Sequence, residues 1–271
     1  MPELPEVETT LQGIRPHLVG QRIRSVVVRD SRLRWPIPED LGVRTQGLVL
    51  IQLSRRGKYI LGHVGANTLL FHLGMSGSLR IVTPQSPPRK HDHYDFLFEN
   101  GVCLRYHDPR RFGCLLAIEG DPLRHPLLRH LGPEPLEPGF DGRYLSARAQ
   151  GRSQPIKAFL MDSKVVVGVG NIYANEALFL AGIHPMRAAG RISKARFEGL
   201  AQAIREVLSQ AITMGGTTLR DFVNESGQPG YFSQTLRVYG RGGEPCRACE
   251  TTLKQRPLGQ RATYWCPCCQ H

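Results

Sequence analysis

The C-terminal stretch CRACETTLKQRPLGQRATYWCPCCQH, residues 246–271, holds five of the chain's seven cysteines. Two residues separate Cys246 from Cys249, sixteen lead on to Cys266, and two more separate Cys266 from Cys269. Each short step can turn two thiolates toward one point, and the residues between can form a hairpin, which is the ligand spacing of a four-cysteine zinc site. A stretch this short cannot bury a core of its own, so a bound metal would supply much of its folding energy. Four sulfur ligands close the coordination sphere, so one Zn²⁺ per chain is expected in a structural role. Cys268 is an alternative thiol beside Cys269; the two-residue spacing favours Cys269. Lys254, Arg256 and Arg261 fall between the cysteine pairs and make the intervening hairpin basic, either as a solvated face or as a phosphate contact.

Upstream of this stretch the pattern is helical. Residues Phe197, Leu200, Ala201, Ile204, Val207, Leu208, Ala211 and Ile212 recur at three- and four-residue steps, so a helix is predicted from Ser193, its cap, to Met214 before Gly215-Gly216. A second helix is predicted over Ile172–Ala181, with Asn171 as its cap and Gly182 as its stop. Further back, residues 121–139 are rich in Pro, Gly and Leu and read as a domain connection. Before it the chain reads as strands: Arg22–Asp30, Leu48–Val64, Asn67–Val82 and Tyr94–Arg105, with a hairpin signal at Glu99-Asn100-Gly101. Cys103 and Cys114 sit in apolar, strand-like settings and read as ordinary core residues. A first helix is predicted from Pro5 to His17. The expectation is an α+β chain with two domains, the first a β-sandwich or barrel with a flanking helix.

With 271 residues and a hydrophobic fraction of 41%, there is room for two domains with real cores. The net charge of +12 points to a polyanion or an acidic surface as partner. No apolar run approaches the roughly 18 residues of a bilayer span. No charged-then-apolar leader opens the chain, so a cytoplasmic location is expected, where cysteines are thiols or metal ligands rather than disulfides.

The N-terminus, MPELPEVETT, is less ordinary. Pro5 suits a first helical turn, and Glu6 and Glu8 suit the positive end of a helix. That reading leaves Pro2 unexplained. If Met1 is removed, Pro2 carries a free secondary amine beside the Glu3 carboxylate. An α-amino group titrates near about 8, so a useful fraction is neutral and nucleophilic at cellular pH.

Taken in order, MPELPEVET, FHLGMSGSLR, HDHYDF, DPRRFG, HLGPEPL, VVGVGNIYANEALF, GIHP, GGTTLRDF, GQPGYF and YGRGGEPC…QRATYWCPCCQ resemble the formamidopyrimidine-DNA glycosylases over nearly the whole chain. These are bacterial base-excision repair enzymes. The resemblance implies a β-sandwich catalytic domain over 1–130, a linker with a helix–two-turn–helix module over 131–236, and a zinc finger over 237–271. It implies a monomer that binds double-stranded DNA containing oxidised purines or abasic sites in the cleft between its halves. Base removal would be followed by β- and δ-elimination.

The resemblance also implies residue roles. Pro2 matches the nucleophile that attacks the sugar C1′, and Glu3 the neighbouring acid/base group, with Glu6 in support. Lys58, in RRGKYI, matches a lysine near the lesion and its phosphate; Arg261 matches the arginine at the tip of the zinc-finger hairpin. Met75, Arg110 and Phe112 match the residues inserted into the duplex when the damaged nucleotide is everted. His91 and Arg152 match DNA contacts, although Arg152 stands where the best-known relative has lysine; Lys157 lies in the same basic region and is expected to contact DNA, and Asn171 is expected to turn its amide to phosphate at the start of its helix. Thr217–Tyr231 matches the loop that closes over the everted base. The related endonuclease VIII group prefers oxidised pyrimidines, and the Met75/Arg110/Phe112 set favours the purine enzymes.

Overall fold

The computed structural model describes residues 1–217 and 231–271. The expected closing loop between Thr217 and Tyr231 lies, apart from those two end residues, outside the described residues. The chain forms two compact units: Met1–Arg129 with Met214–Tyr231, and His130–Thr213 with Phe232–His271.

The first unit begins with helix α1 (Leu4–Leu18), whose apolar positions Leu4, Val7, Leu11, Ile14 and Leu18 repeat at three- and four-residue steps and are all buried. Eight strands and a short helix, α2 (Leu41–Thr45), follow. One antiparallel sheet contains β1 (Ile23–Val28), β6 (Asp92–Phe98), β7 (Cys103–His107) and β5 (Ser78–Val82), in that spatial order. The other contains β2 (Leu50–Arg56), β3 (Tyr59–Val64), β4 (Asn67–His72) and β8 (Cys114–Glu119). The inner faces share one core: Ile23, Phe96 and Leu104 from the first sheet meet Leu53, Ile60, Leu69 and Phe71 from the second, with α1 packed into the same cluster. The Phe71 and Phe96 rings, one from each sheet, lie edge to face with centroids 5.9 Å apart. This is the expected β-sandwich.

Two predicted strands divide. Leu48–Val64 folds back at Gly57-Lys58 because Gly57 takes φ +58°, a turn conformation that a side chain disfavours. Asn67–Val82 leaves one sheet after His72 and joins the other at Ser78. The loop between them, Leu73–Gly77, carries Met75.

The second unit holds α3 (Gly142–Ala149), α4 (Ile156–Met161), α5 (Asn171–Leu180), α6 (Lys194–Thr213) and a two-stranded hairpin of β9 (Lys254–Leu258) and β10 (Arg261–Trp265). The Ser193 hydroxyl accepts from Arg196 N at the start of α6, as expected of its cap. The cap expected of Asn171 is corrected: Gly170 holds that position with extended backbone, and Asn171 is the first helical residue. Among the described residues no helix is long and apolar enough to cross a membrane.

Candidate active site

Pro2 and Glu3 are buried at the head of α1, while Met1 remains 42% exposed. The Glu3 main-chain N–H donates to Glu6 Oε2 at 2.7 Å. The other oxygen of the buried Glu6 accepts from Thr217 N, also at 2.7 Å. One carboxylate therefore ties the N-terminal residues to the end of the described chain before the 218–230 segment. Lys58 occupies the two-residue turn between β2 and β3. Near it, Tyr59 packs on His72 with ring centroids 4.8 Å apart. Burial, helped by the positive charges of Lys58 and Arg34, pushes the His72 imidazole down to about 4. Gly74 N donates to His72 Nδ1 at 3.1 Å, so the neutral ring carries its proton on Nε2.

The structure brings Met75, Arg110 and Phe112 together on two touching loops. A Cβ at Gly74 would lie 2.5 Å from both Gly113 N and the Phe112 carbonyl carbon, so the loops meet backbone to backbone. Arg110 and Phe112 are exposed, and the Arg110 guanidinium sits 5.0 Å above the Phe112 ring. Between the two loops lies Asp108, fully buried at the base of the second, a residue the sequence reading passed over. His91 takes φ +74°, and its ring lies 6.3 Å from that of His93 and 6.2 Å from that of His107. Arg105 braces the preceding loop by donating to the carbonyls of Ser86 and Pro87, and it also pairs with Asp95 through two bonds.

In the second unit, Arg152 is exposed on the turn after α3, and Asn171 begins α5 with its Oδ1 buried and without a hydrogen-bond partner among the described residues. Lys157 is only 1% exposed. Its ammonium donates to Ala262 O and Thr263 Oγ1, each at 2.8 Å, so it fastens the hairpin to α4. Arg261 stands exposed immediately after the Gly259-Gln260 turn of that hairpin. Lys157 and Arg261 both line a cavity of about 440 Å³ with Met161 and Leu258.

The sulfur atoms of Cys246, Cys249, Cys266 and Cys269 all lie within 4.8 Å of one another, while Cys268 is exposed outside the group. Sulfurs about 2.3 Å from a tetrahedral zinc are about 3.8 Å apart, so separations of 3.4 Å (Cys249–Cys266) and 4.0 Å (Cys246–Cys269) fit such an ion. The main-chain N–H groups of Ala248 and Cys269 donate to Cys246 Sγ and Cys266 Sγ at 3.4 Å, which suits thiolate ligands. Among the described residues, Val238 and Leu253, with flanking Phe179 and Tyr264, form a small apolar cluster around the thiols. Two buried residues of α5 hold this region. Glu176 accepts from the N–H groups of Arg237, Val238 and Tyr239, and Asn175 Oδ1 accepts from Tyr264 N. Neither has a local sequence signal, because each partner lies at least sixty residues away.

A β-sandwich with Pro2 and Glu3 buried at its first helix, a helical module and a basic hairpin on a four-thiol cluster fit the architecture expected of a DNA glycosylase. Residues 1–115 match the family model of the formamidopyrimidine-DNA glycosylase N-terminal domain, and residues 131–223 match that of its H2TH domain. The chain belongs to the formamidopyrimidine-DNA glycosylase family. It is 63% identical over 270 residues to the formamidopyrimidine-DNA glycosylase of Methylococcus capsulatus, covering 100% of both chains. Among solved structures, a Lactococcus lactis Fpg variant in complex with DNA containing Fapy-dG superposes with a TM-score of 0.93 at 34% identity, covering 100% of both chains. Lactococcus lactis Fpg in complex with DNA containing an abasic site gives 0.92 at 34% identity over 99% of each chain.

Proposed function

We infer that this protein is a bifunctional base-excision repair enzyme. It removes oxidised purines, 8-oxoguanine and formamidopyrimidines, from double-stranded DNA and then cuts the strand as an abasic-site lyase. The relatives' complexes with formamidopyrimidine and abasic DNA support the substrate class, and the net charge of +12 suits a phosphate backbone. The observation that carries the reading is Pro2, buried beside buried Glu3 at the positive end of α1.

Removal of Met1 frees the Pro2 amine, and the positive helix end works against its protonation. Its lone pair attacks C1′ of the everted nucleotide. The glycosidic bond breaks and the base leaves with the bonding pair, taking up a proton. The Glu3 carboxyl passes a proton to the sugar ring oxygen as the ring opens to the iminium. That fixed positive charge makes the C2′ proton acidic. Its loss expels the 3′ phosphate, a second elimination expels the 5′ phosphate, and water then hydrolyses the iminium, releasing the unsaturated sugar remnant as an aldehyde, restoring the Pro2 amine and leaving a one-nucleotide gap with phosphates at both ends. Lys58 and Arg261 stabilise the departing phosphates; a guanidinium does not give up its proton, so Arg261 acts through charge.

Met75 and Phe112 fill the space left by the everted nucleotide, and Arg110 bonds to the orphaned cytosine. His91, Arg152 and the α5 start at Asn171 hold the strand backbone. Lys157 serves DNA through the hairpin it fastens. The four thiols hold a structural zinc that carries no chemical step and keeps the Arg261 hairpin formed. Residues 1–130 act as the catalytic domain, 131–236 as the linker and helix–two-turn–helix module, and 237–271 as the zinc finger. The enzyme works as a monomer in the cytoplasm, where it meets the chromosome.

Intact mass should show the chain starting at Pro2, and borohydride should trap it covalently on 8-oxoguanine–cytosine duplexes. Full activity with Met1 retained would overturn the proline mechanism. Efficient cutting of 5,6-dihydrouracil duplexes with almost none of 8-oxoguanine–cytosine would favour the endonuclease VIII reading. Lesion binding without cutting of any substrate, abasic DNA included, would leave a damage-recognition protein.

A further inference from the structure

The four acceptor bonds of the Asp108 carboxylate come from three stretches of chain. Oδ1 accepts from Ser76 Oγ at 2.8 Å and from Arg110 N at 3.2 Å. Oδ2 accepts from the Tyr106 hydroxyl at 3.1 Å and from Gly113 N at 3.0 Å. The main chain of Asp108 is held too: its N–H donates to His91 O at 3.0 Å, and its carbonyl accepts from His93 Nε2 at 2.7 Å. Ser76 directly follows Met75, Arg110 is bonded through its own N–H, and Gly113 directly follows Phe112. The bonds therefore bracket the three side chains that enter the duplex. Those side chains hold themselves poorly, since Arg110 and Phe112 are exposed.

We propose that Asp108 is the positioning residue of the duplex wedge: it sets the spacing of Met75 against Arg110 and Phe112 before DNA arrives. The inference rests on the base-excision reading above. A loop ordered in advance loses little freedom when it enters the stack, so more of the binding free energy goes into everting the nucleotide. The carboxylate is suited to this because all four partners are donors. An amide in its place offers one oxygen, and its NH₂ must face one of the two pairs. Each pair includes a main-chain N–H that cannot turn away, so Asp108→Asn breaks the bracket on one side whichever way it is oriented.

Two substrates separate positioning from general damage to the fold. One is the 8-oxoguanine–cytosine duplex, which has to be opened. The other is a single-stranded abasic oligonucleotide, which has no stack to open and no opposite base. Asp108→Asn should lower duplex excision about ten-fold more than single-strand nicking, and it should flatten the preference for cytosine over adenine opposite the lesion. Ser76→Ala, which removes one bond, should move the same ratio in the same direction by less. A merely destabilised protein loses both activities in parallel. If both variants keep the wild-type ratio and opposite-base preference, the proposal is overturned. If Asp108→Asn does not fold, Ser76→Ala decides alone, and an unchanged ratio again overturns it. Wild-type protein inactive on both substrates would instead overturn the enzyme reading.

Discussion

Glu176→Gln is the substitution whose effect can be worked most directly from the structure. The residue is 1% exposed on α5. Its Oε1 accepts from Val238 N at 2.9 Å and Tyr239 N at 2.8 Å, and its Oε2 accepts from Arg237 N at 2.8 Å. Glutamine in its better orientation keeps the two bonds to Oε1 in weaker, neutral form and turns its NH₂ against the N–H of Arg237. Hydrogen bonds to a charged group contribute about 1.5–3 kcal/mol each, and an orphaned buried donor costs about 1–3 kcal/mol. One bond lost and two weakened sum to about 2–4 kcal/mol. At roughly 2–4 °C per kcal/mol, the thermal midpoint of the second unit should fall by roughly 4–16 °C. The damage falls next to the thiols, because Val238 packs against Cys246, Leu253 and Cys266. Release of zinc to a chelator should therefore quicken as well. Scanning calorimetry of zinc-loaded protein measures the first effect, and a colorimetric chelator assay measures the second. A midpoint within about 1 °C of wild type, with unchanged zinc release, would show that the three N–H groups find other partners and would refute the reasoning.

Cys246→Ser should lose both zinc and DNA binding, whereas Cys268→Ser should keep both; elemental analysis and gel retardation check this, and zinc loss in Cys268→Ser would reassign the ligands. His72 sets a pH dependence. Its folded value lies near 4 against an ordinary 6.5, so between these limits the unfolded state binds more protons. Its contribution to stability is therefore complete above pH 6.5, falls as pH drops toward 4, and falls no further below that. Denaturant unfolding across this window should show the slope, and His72→Gln should flatten it; an NMR titration of His72 near 6.5 would contradict the assignment.

Features with strict local chemistry were readable from sequence. The thiol spacing drew the four-thiol cluster, and the three- and four-residue apolar steps drew α6 to within a residue of its ends. Two errors arose where backbone conformation overrode composition. Leu48–Val64 is rich in Leu, Val and Ile at both ends, yet Gly57-Lys58 folds it into a hairpin, and an asparagine before a helix looked like a cap where Gly170 supplies the extended backbone. The supporting residues were hidden for a different reason. Asp108 in DPRRFG looks like a turn residue until Ser76 is found against it, and Lys157 looks like one more surface cation until its ammonium is found on Ala262 and Thr263, over a hundred residues along the chain. Such partners carry no periodicity, because only the tertiary fold brings them together.

The Met214–Tyr231 excursion has a consequence for how the gene can be divided. These residues count with the first unit, although the sequence on either side of them belongs to the second. The chain therefore changes unit three times, and no single cut yields the first unit complete. A fragment ending near residue 130 would lack Thr217, whose N–H holds the carboxylate that in turn holds Glu3. The two units are thus bound to a common inheritance: recombination that exchanges everything after residue 130 also exchanges the main-chain donor that holds Glu6, so the incoming chain must present an N–H, and not a proline, at position 217.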